Sequence, residues 1–166
     1  MYVRIENFPE ANEERKIEVV VHDFDVYSAD QTLAIVILPV LRKLKEANAG
    51  APFVRNEDVP KELQRPNDVE DHEIDDNWYD RWRYVLDEMI WSLEQVLDDW
   101  ESRFYSGEVD MSFNEKTHDD EGNPLAEFVL GPNHTFVFDE KGYAEYEKRI
   151  DRGLTLFGRY FRALWT

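Results

Sequence analysis

One segment in the middle of the chain is amphipathic in a way that constrains the fold around it. Four of the five tryptophans lie within a stretch of 23 residues: Trp78, Trp82, Trp91 and Trp100. A helix over about 76–104 advances by roughly 100° per residue and gains one broad apolar stripe. The stripe consists of Trp78, Trp82, Val85, Leu86, Met89, Ile90, Leu93, Val96, Leu97 and Trp100. Such a stripe must be buried, so the segment is predicted to be the central helix of a hydrophobic core.

The opposite side of this helix carries two large aromatic rings among carboxylates. Trp91 and Tyr84 are seven residues apart and therefore lie on one line of the helix surface. Their acidic neighbours on this outer face are Asp80, Asp87, Glu88, Glu94 and Asp98. Large rings on a charged face need a partner. We expect them to be covered by another part of the fold, a second subunit or a ligand, and the second of these predicts a homo-oligomer.

The other segments predict an α+β fold for residues 1–166 as one domain, with three long helices packed with a small, mainly antiparallel sheet. A helix is expected from Ser28 to about Asn48, kinked at Pro39. The apolar residues 33–38 also fit a buried strand. Short strands are expected at 2–6, 16–21, 109–117, 125–130 and 135–138.

A last helix is expected after Asp139, because its apolar residues recur at spacings of three and four. Gly153 and Gly158 lie in its interior, where each costs about 1 kcal/mol relative to alanine. Close approach by another backbone would explain such glycines.

Charge and composition limit the classes of function. The chain has a net charge of −18 and no cysteine, and residues 56–120 carry 6 basic and 21 acidic side chains. Direct nucleic-acid binding is disfavoured because it needs clustered cations. The longest apolar run, 33–41, is shorter than the roughly 20 residues that span a bilayer, so no membrane association is predicted. The acidic middle is either a solubilising face or a surface for a basic protein.

Motifs that specify enzymes are absent: no phosphate-binding glycine loop, no zinc-protease helix and no nucleophile elbow occurs. We therefore predict no catalytic residue, metal site or cofactor. The enzyme alternative is a metal-assisted hydrolase that uses His22, Asp23 and Asp25, since imidazole and carboxylates can hold a divalent cation. The sequence His118-Asp119-Asp120 offers the same chemistry.

Arginine and aromatic side chains predict instead a pocket for a nucleotide-like ligand. Rings would stack on a base, and arginines would neutralise phosphate in a locally positive pocket. The alternative is that these arginines pair with nearby carboxylates. The predicted ligand-binding residues come from the central helix, the turn at 131–135 and the last helix. They are Tyr79, Arg81, Trp82, Arg83, Tyr84, Trp91, Asn133, His134, Arg152, Arg159 and Tyr160.

Several stretches together resemble a family of uncharacterised small proteins of tailed bacteriophages. They are LAIVILPVLRKLK at 33–45, GAPFV at 50–54, RWRYVLDEMIW at 81–91, GPNHT at 131–135 and RIDRGLTLFGRYFRALW at 149–165. The resemblance spans most of the chain and brings no catalytic residues with it. It implies a protein made by a phage in the cytoplasm of the bacterial host.

That context favours a non-enzymatic binding protein that sequesters a nucleotide-derived immune signal of the host. Two alternatives stay open: an acidic DNA mimic that inhibits a basic host protein, and the metal-assisted nucleotide hydrolase. A component of the virion is also compatible with the sequence.

Overall fold

The computed structural model describes residues 1–7, 14–47, 50–66 and 73–165, with backbone alone at 114–117 and 124–126. It has an α+β fold, as predicted, in which the described strands form antiparallel pairs rather than one sheet. The chain divides into two compact units. The first comprises Met1–Asp98 and Arg149–Thr166, and the second comprises Asp99–Lys148. The single domain predicted for residues 1–166 stays a prediction.

Helix α3 (Trp78–Val96) is the centre of the first unit, and α2 (Ala29–Ala47) packs against its apolar stripe. A short helix, α1 (Asp23–Tyr27), precedes α2. The residues that α2 and α3 bury together are Ala34, Leu38, Leu41, Trp82, Val85, Leu86, Met89, Ile90 and Leu93. Full burial of a large apolar side chain contributes about 1.5–3 kcal/mol, so this contact is the main core of the unit.

The strand alternative for residues 33–38 is wrong, because this segment is helical throughout. Pro39 lies inside α2 without ending it. The described part of the helix ends at Ala47, and its predicted end at Asn48 lies outside the described residues.

Helix α3 ends at Val96, well before the predicted end near 104. Asp98 and Asp99 follow within three residues, and carboxylates are unfavourable at the negative end of the helix dipole. Aspartate is also a weak helix former. Trp100 therefore lies outside the helical stripe to which the sequence assigned it. Its ring packs in the second unit, with its centroid 5.0 Å from that of Tyr143.

Helix α4 (Glu140–Tyr160) contacts α3 through its residues from 149 onward. Gly153 marks the closest approach, because a Cβ there would overlap the Ser92 hydroxyl and the Glu88 carbonyl oxygen. The predicted close approach is confirmed at this glycine. It is wrong for Gly158, where no neighbouring atom of the described residues lies within 4 Å of a Cβ position.

In the first unit, β1 (Tyr2–Ile5) pairs with β2 (Ile17–Val20), with Tyr2 opposite Val20. In the second unit, β4 (Met111–His118) and β5 (Pro124–Leu130) form the predicted hairpin. The Asp119 carboxylate closes its loop by accepting the backbone N–H groups of Glu121 and Asn123 at 2.9 and 2.8 Å. Hydrogen bonds from the Asn123 side chain and backbone keep the pKa of Asp119 below its usual value.

The same ribbon continues beyond the hairpin as β3 (Tyr105–Ser106) paired with β6 (Val137–Phe138). Between the two pairs, Gly107 adopts a φ of 79°, and a Cβ there would overlap the Thr135 carbonyl group. Only glycine fits this position without strain. The strand predicted at 135–138 thus exists over 137–138, and its partner is a short strand directly after the predicted end of the central helix, where no strand was predicted.

Candidate functional site

The rings of Trp91 and Tyr84 are each covered by an arginine of α4. The guanidinium of Arg149 lies 3.9 Å from the centroid of the Trp91 ring, and that of Arg152 lies 5.7 Å from the Tyr84 ring. Both distances are within the range of cation–π attraction. The expected cover therefore comes from the same chain, so these rings no longer argue for a second subunit. The homo-oligomer stays a prediction, and the exposure of Trp91 and Tyr84 no longer supports it.

Glu88 is buried beneath these arginines, which corrects its assignment to the charged outer face. Only 6% of the residue is exposed. Its carboxylate accepts hydrogen bonds from Nη2 and Nε of Arg149 at 2.8 and 3.4 Å. A buried carboxylate keeps its charge only when it is paired. Arg149 is consequently held between a carboxylate and the Trp91 indole, and its guanidinium has a defined position.

An open groove with a volume of about 640 Å³ lies beside this pair. Its walls come from α2, α3 and the first-unit part of α4. The lining residues are Arg42, Lys45, Glu46, Asp87, Glu88, Ile90, Trp91, Glu94 and Arg149. One indole, three cations and four carboxylates thus surround a space that is large enough for a small molecule.

Two ion pairs cross the groove from α2 to α3. Arg42 lies 2.7 Å from Glu94, and Lys45 pairs with Asp87. All four side chains are at least one-third exposed. Exposed pairs of this kind contribute about 0–1 kcal/mol. Separating either cation from its carboxylate therefore costs little free energy, so an anionic ligand can form an ion pair with the cation instead.

Arg81 and Trp82, both predicted to bind a ligand, are buried in the first unit instead. The Arg81 guanidinium donates to the Asp75 carboxylate and, at 3.0 Å, to the Leu63 carbonyl oxygen. This hydrogen bonding keeps the pKa of Asp75 below its usual value. The ring of Trp82 packs edge-on against Tyr160, with centroids 5.8 Å apart. These contacts fix the fold.

Arg159 and Tyr160 meet at the buried carboxylate of Asp58. Arg159 pairs with it, and the Tyr160 hydroxyl donates to it at 2.6 Å while accepting the backbone N–H of Arg55 at 3.1 Å. Burial and the bond to Asp58 raise the pKa of Tyr160 to about 12. Arg152 donates to the Asp58 carbonyl oxygen at 3.1 Å. This cluster fastens the segment around Asp58 to α4.

The remaining predicted residues lie at the surface or in the second unit. Tyr79 and Arg83 are exposed. In the turn at 131–134, His134 Nδ1 accepts the backbone N–H of Asp110 at 3.3 Å, and the Asp110 carboxylate accepts the backbone N–H of Asn133 at 2.9 Å. Of the predicted ligand-binding residues, all of which the structure describes, Trp91 lines the groove and the others lie elsewhere.

Arg42 and Lys45 were missed because nothing in their local sequence marks them as binding residues. They become neighbours of Trp91 only when α2 packs on α3, which pairs Arg42 with a carboxylate 52 residues away and Lys45 with one 42 residues away. Their spacing of three along α2 shows only that they share a face of that helix.

In the part of the chain that the structure describes, no group of three or more histidines and carboxylates is arranged to hold a metal ion. Asp25 instead accepts the backbone N–H of His22 at 2.8 Å, which caps α1. The metal-assisted hydrolase gains no support from this geometry.

None of the helices in the described ranges is long and apolar enough to cross a membrane. No protein-family model, no curated protein and no solved structure matches the chain.

Proposed function

We propose that the protein binds a small, ring-bearing anion of the nucleotide class in the groove and releases it unchanged. The observation that carries this proposal is the position of Trp91 and Arg149 beside Arg42 and Lys45 around one cavity. Aromatic stacking combined with arginine and lysine contacts to phosphate is the usual chemistry of such sites.

The carboxylates of the groove suit a nucleotide better than inorganic phosphate. Asp87 and Glu94 would be displaced from the cations by a phosphate group, and their oxygens could then accept hydrogen bonds from ribose hydroxyls or base amino groups. The lining is close to neutral, which makes it far less repulsive to an anion than the net charge of −18 suggests.

Binding without turnover is a biologically sufficient activity for such a protein. The resemblance to small phage proteins makes a nucleotide-derived immune signal of the bacterial host the ligand we favour. A protein that holds such a signal in the host cytoplasm would lower its free concentration without any chemical step.

The test is calorimetry of the purified protein with cyclic dinucleotides, cyclic trinucleotides and ADP-ribose derivatives. Protein from the complex is then heated, and mass spectrometry identifies what is released. We expect at least one member of the panel to bind and to be recovered intact. No binding across the panel would refute the site, and recovery of a cleaved ligand would refute binding without turnover.

Variants of α2 locate the binding. Arg42→Gln and Lys45→Gln each remove one charge from the groove and should weaken binding by about tenfold, as expected for a lost charge-assisted hydrogen bond. Lys141→Gln is the matched control, because Lys141 is exposed and pairs with Glu145, and neither residue lines the groove. Equal weakening by all three substitutions would mean that net charge, and not the groove, determines affinity.

A further inference from the structure

The second unit exposes three stacked aromatic rings, which we name the aromatic ladder: Phe136, Tyr105 and Phe138. The Tyr105 centroid lies 5.6 Å from that of Phe136 and 5.1 Å from that of Phe138, and the interplanar angles are 24° and 25°. The strand register explains the stack. Tyr105 lies opposite Phe138, and Phe136 precedes Phe138 by two residues on the same face.

All three rings reach solvent. Their residues are 36–44% exposed, although each is a large hydrophobic side chain. The stack is supported within the unit, because the ring of Phe138 packs edge-on against Tyr143 with centroids 5.3 Å apart. Tyr143 in turn contacts Trp100 and Phe104. The exposed rings are therefore preorganised, which lowers the cost of binding a partner.

The ladder lies in a strongly acidic unit. Residues 99–148 carry 13 acidic and 4 basic side chains, a net of −9. Asp139 follows Phe138 directly, and Glu108 is hydrogen-bonded through its backbone to Thr135, the neighbour of Phe136. The pKa of Tyr143 is raised by burial and then by the nearby charge of Glu101. Charge therefore favours a positively charged partner for this unit.

Two basic side chains of this unit are engaged within it. Arg103 donates to the Tyr146 hydroxyl at 2.7 Å, and Lys141 lies 3.8 Å from Glu145. An exposed aromatic surface on an acidic unit is suited to a cationic segment, because the rings offer apolar contact to the stems of lysine and arginine and the carboxylates attract their charge.

We propose that the aromatic ladder is a docking surface for a cationic peptide segment of a partner protein. Lysine and arginine side chains of the partner lie against the solvent-exposed parts of the rings, and the carboxylates of the unit steer and neutralise them. Charge complementarity selects this occupant. A second copy would bring another acidic unit against the first, and a nucleic acid would bring phosphates against carboxylates.

The experiment measures binding of a synthetic peptide of alternating arginine and glycine, about eight residues long, to the full chain. Tyr105→Leu keeps an apolar side chain but removes the ring, and should weaken binding about fivefold, as expected for loss of an arginine–aromatic contact. Tyr105→Phe should bind within about twofold of the parent because the ring remains. Phe136→Leu provides a second removal of a ladder ring, and circular dichroism establishes that each variant is folded.

Phe128→Leu is the matched control. Phe128 is 62% exposed on β5 of the same unit and packs against Phe113 outside the ladder, so this variant should bind like the parent. Unchanged binding by both ladder variants would overturn the proposal, as would equal weakening by Phe128→Leu. A peptide in which glutamine replaces arginine must bind more weakly, or the occupant is apolar rather than cationic. Light scattering that shows a dimer abolished by Tyr105→Leu would identify a second copy as the occupant instead.

Lys45→Gln, which tests the groove, should leave peptide binding unchanged. The proposal for the groove and the proposal for the aromatic ladder can therefore be refuted independently.

Discussion

Three carboxylates of the first unit that have little solvent exposure are each paired with an arginine. The pairs are Glu88 with Arg149, Asp58 with Arg159 and Asp75 with Arg81. A carboxylate that leaves water must gain a compensating partner, because the desolvation of an ion is large. Three of the eleven arginines in this unit are engaged in this way. One of them, Arg149, also contributes to the groove, since its guanidinium lies over Trp91 at the edge of the groove.

The first prediction at this scale concerns Arg149. Arg149→Met keeps the apolar stem and removes the guanidinium, which leaves the Glu88 carboxylate buried without that partner. Because Arg149 itself is half exposed, we expect a loss of about 1–3 kcal/mol in the free energy of unfolding, less than for a fully buried pair. Urea unfolding measures it. Adding Glu88→Gln should recover part of the loss, and Lys141→Met, at an exposed pair, should change stability by less than about 0.5 kcal/mol.

The second prediction concerns Tyr160 and alkaline pH. Its pKa rises from about 10 in the unfolded chain to about 12 in the folded protein, because burial and Asp58 favour the protonated hydroxyl. The folded state therefore holds this proton more tightly, and the resulting stability is complete below pH 10 and lost as the pH rises through about 12. Tyr160→Phe should be less stable at neutral pH and should lose less stability between pH 10 and 12.

The comparison with Tyr160→Phe is needed because burial also raises the pKa of Tyr143, which adds a loss in the same direction. Denaturant midpoints of both proteins across this pH range give the difference. Parallel curves would contradict the prediction.

Among the secondary-structure elements, those predicted correctly have a strong periodic pattern. The apolar stripe of α3, the three- and four-residue spacing of α4 and the alternation of the β4–β5 hairpin are local signals, and each element exists. The end of α3 was predicted too late, because Trp100 continues the helical spacing although Asp98 and Asp99 stop the helix. Only one of the residues that line the groove was predicted from the sequence to bind a ligand. Trp91 is visible on a helical projection, whereas Arg42 and Lys45 depend on how two helices pack.

The contact between α3 and α4 gives the third prediction. In Gly153→Ala the new methyl group overlaps Ser92 and the Glu88 backbone, and it lies 2.7 Å from Ser92 Cβ. Overpacking of this kind costs about 1–3 kcal/mol, more than the roughly 1 kcal/mol that alanine gains in helix propensity. Gly158→Ala on the same helix meets open space and should stabilise the protein by about 0.5–1 kcal/mol. Thermal unfolding distinguishes the two, and stabilisation by both would mean that the helices do not approach at Gly153.

For the molecule as a whole, charge is the dominant property. Cation–carboxylate pairs such as Arg42 with Glu94 and Lys43 with Glu46 are local and exposed, so each contributes little. The 37 acidic residues outnumber the 19 basic ones nearly twofold, so most long-range interactions between charges are repulsive. Folding brings these charges closer together than in the unfolded chain, and the compact state therefore carries a repulsive free energy.

The fourth prediction is that salt stabilises the folded protein. The screening length falls from about 20–30 Å near 0.01–0.02 M to below 8 Å at 0.3 M, which removes most of the repulsion between distant carboxylates but little of the attraction within contacting pairs. If screening recovers about 1 kcal/mol, the melting temperature rises by about 2–4 °C for a chain of this size. Scanning calorimetry in sodium chloride and in potassium chloride should give the same rise, because screening depends on ionic strength and not on the ion. A melting temperature that falls with salt would show that the exposed ion pairs stabilise the fold more than the excess negative charge destabilises it.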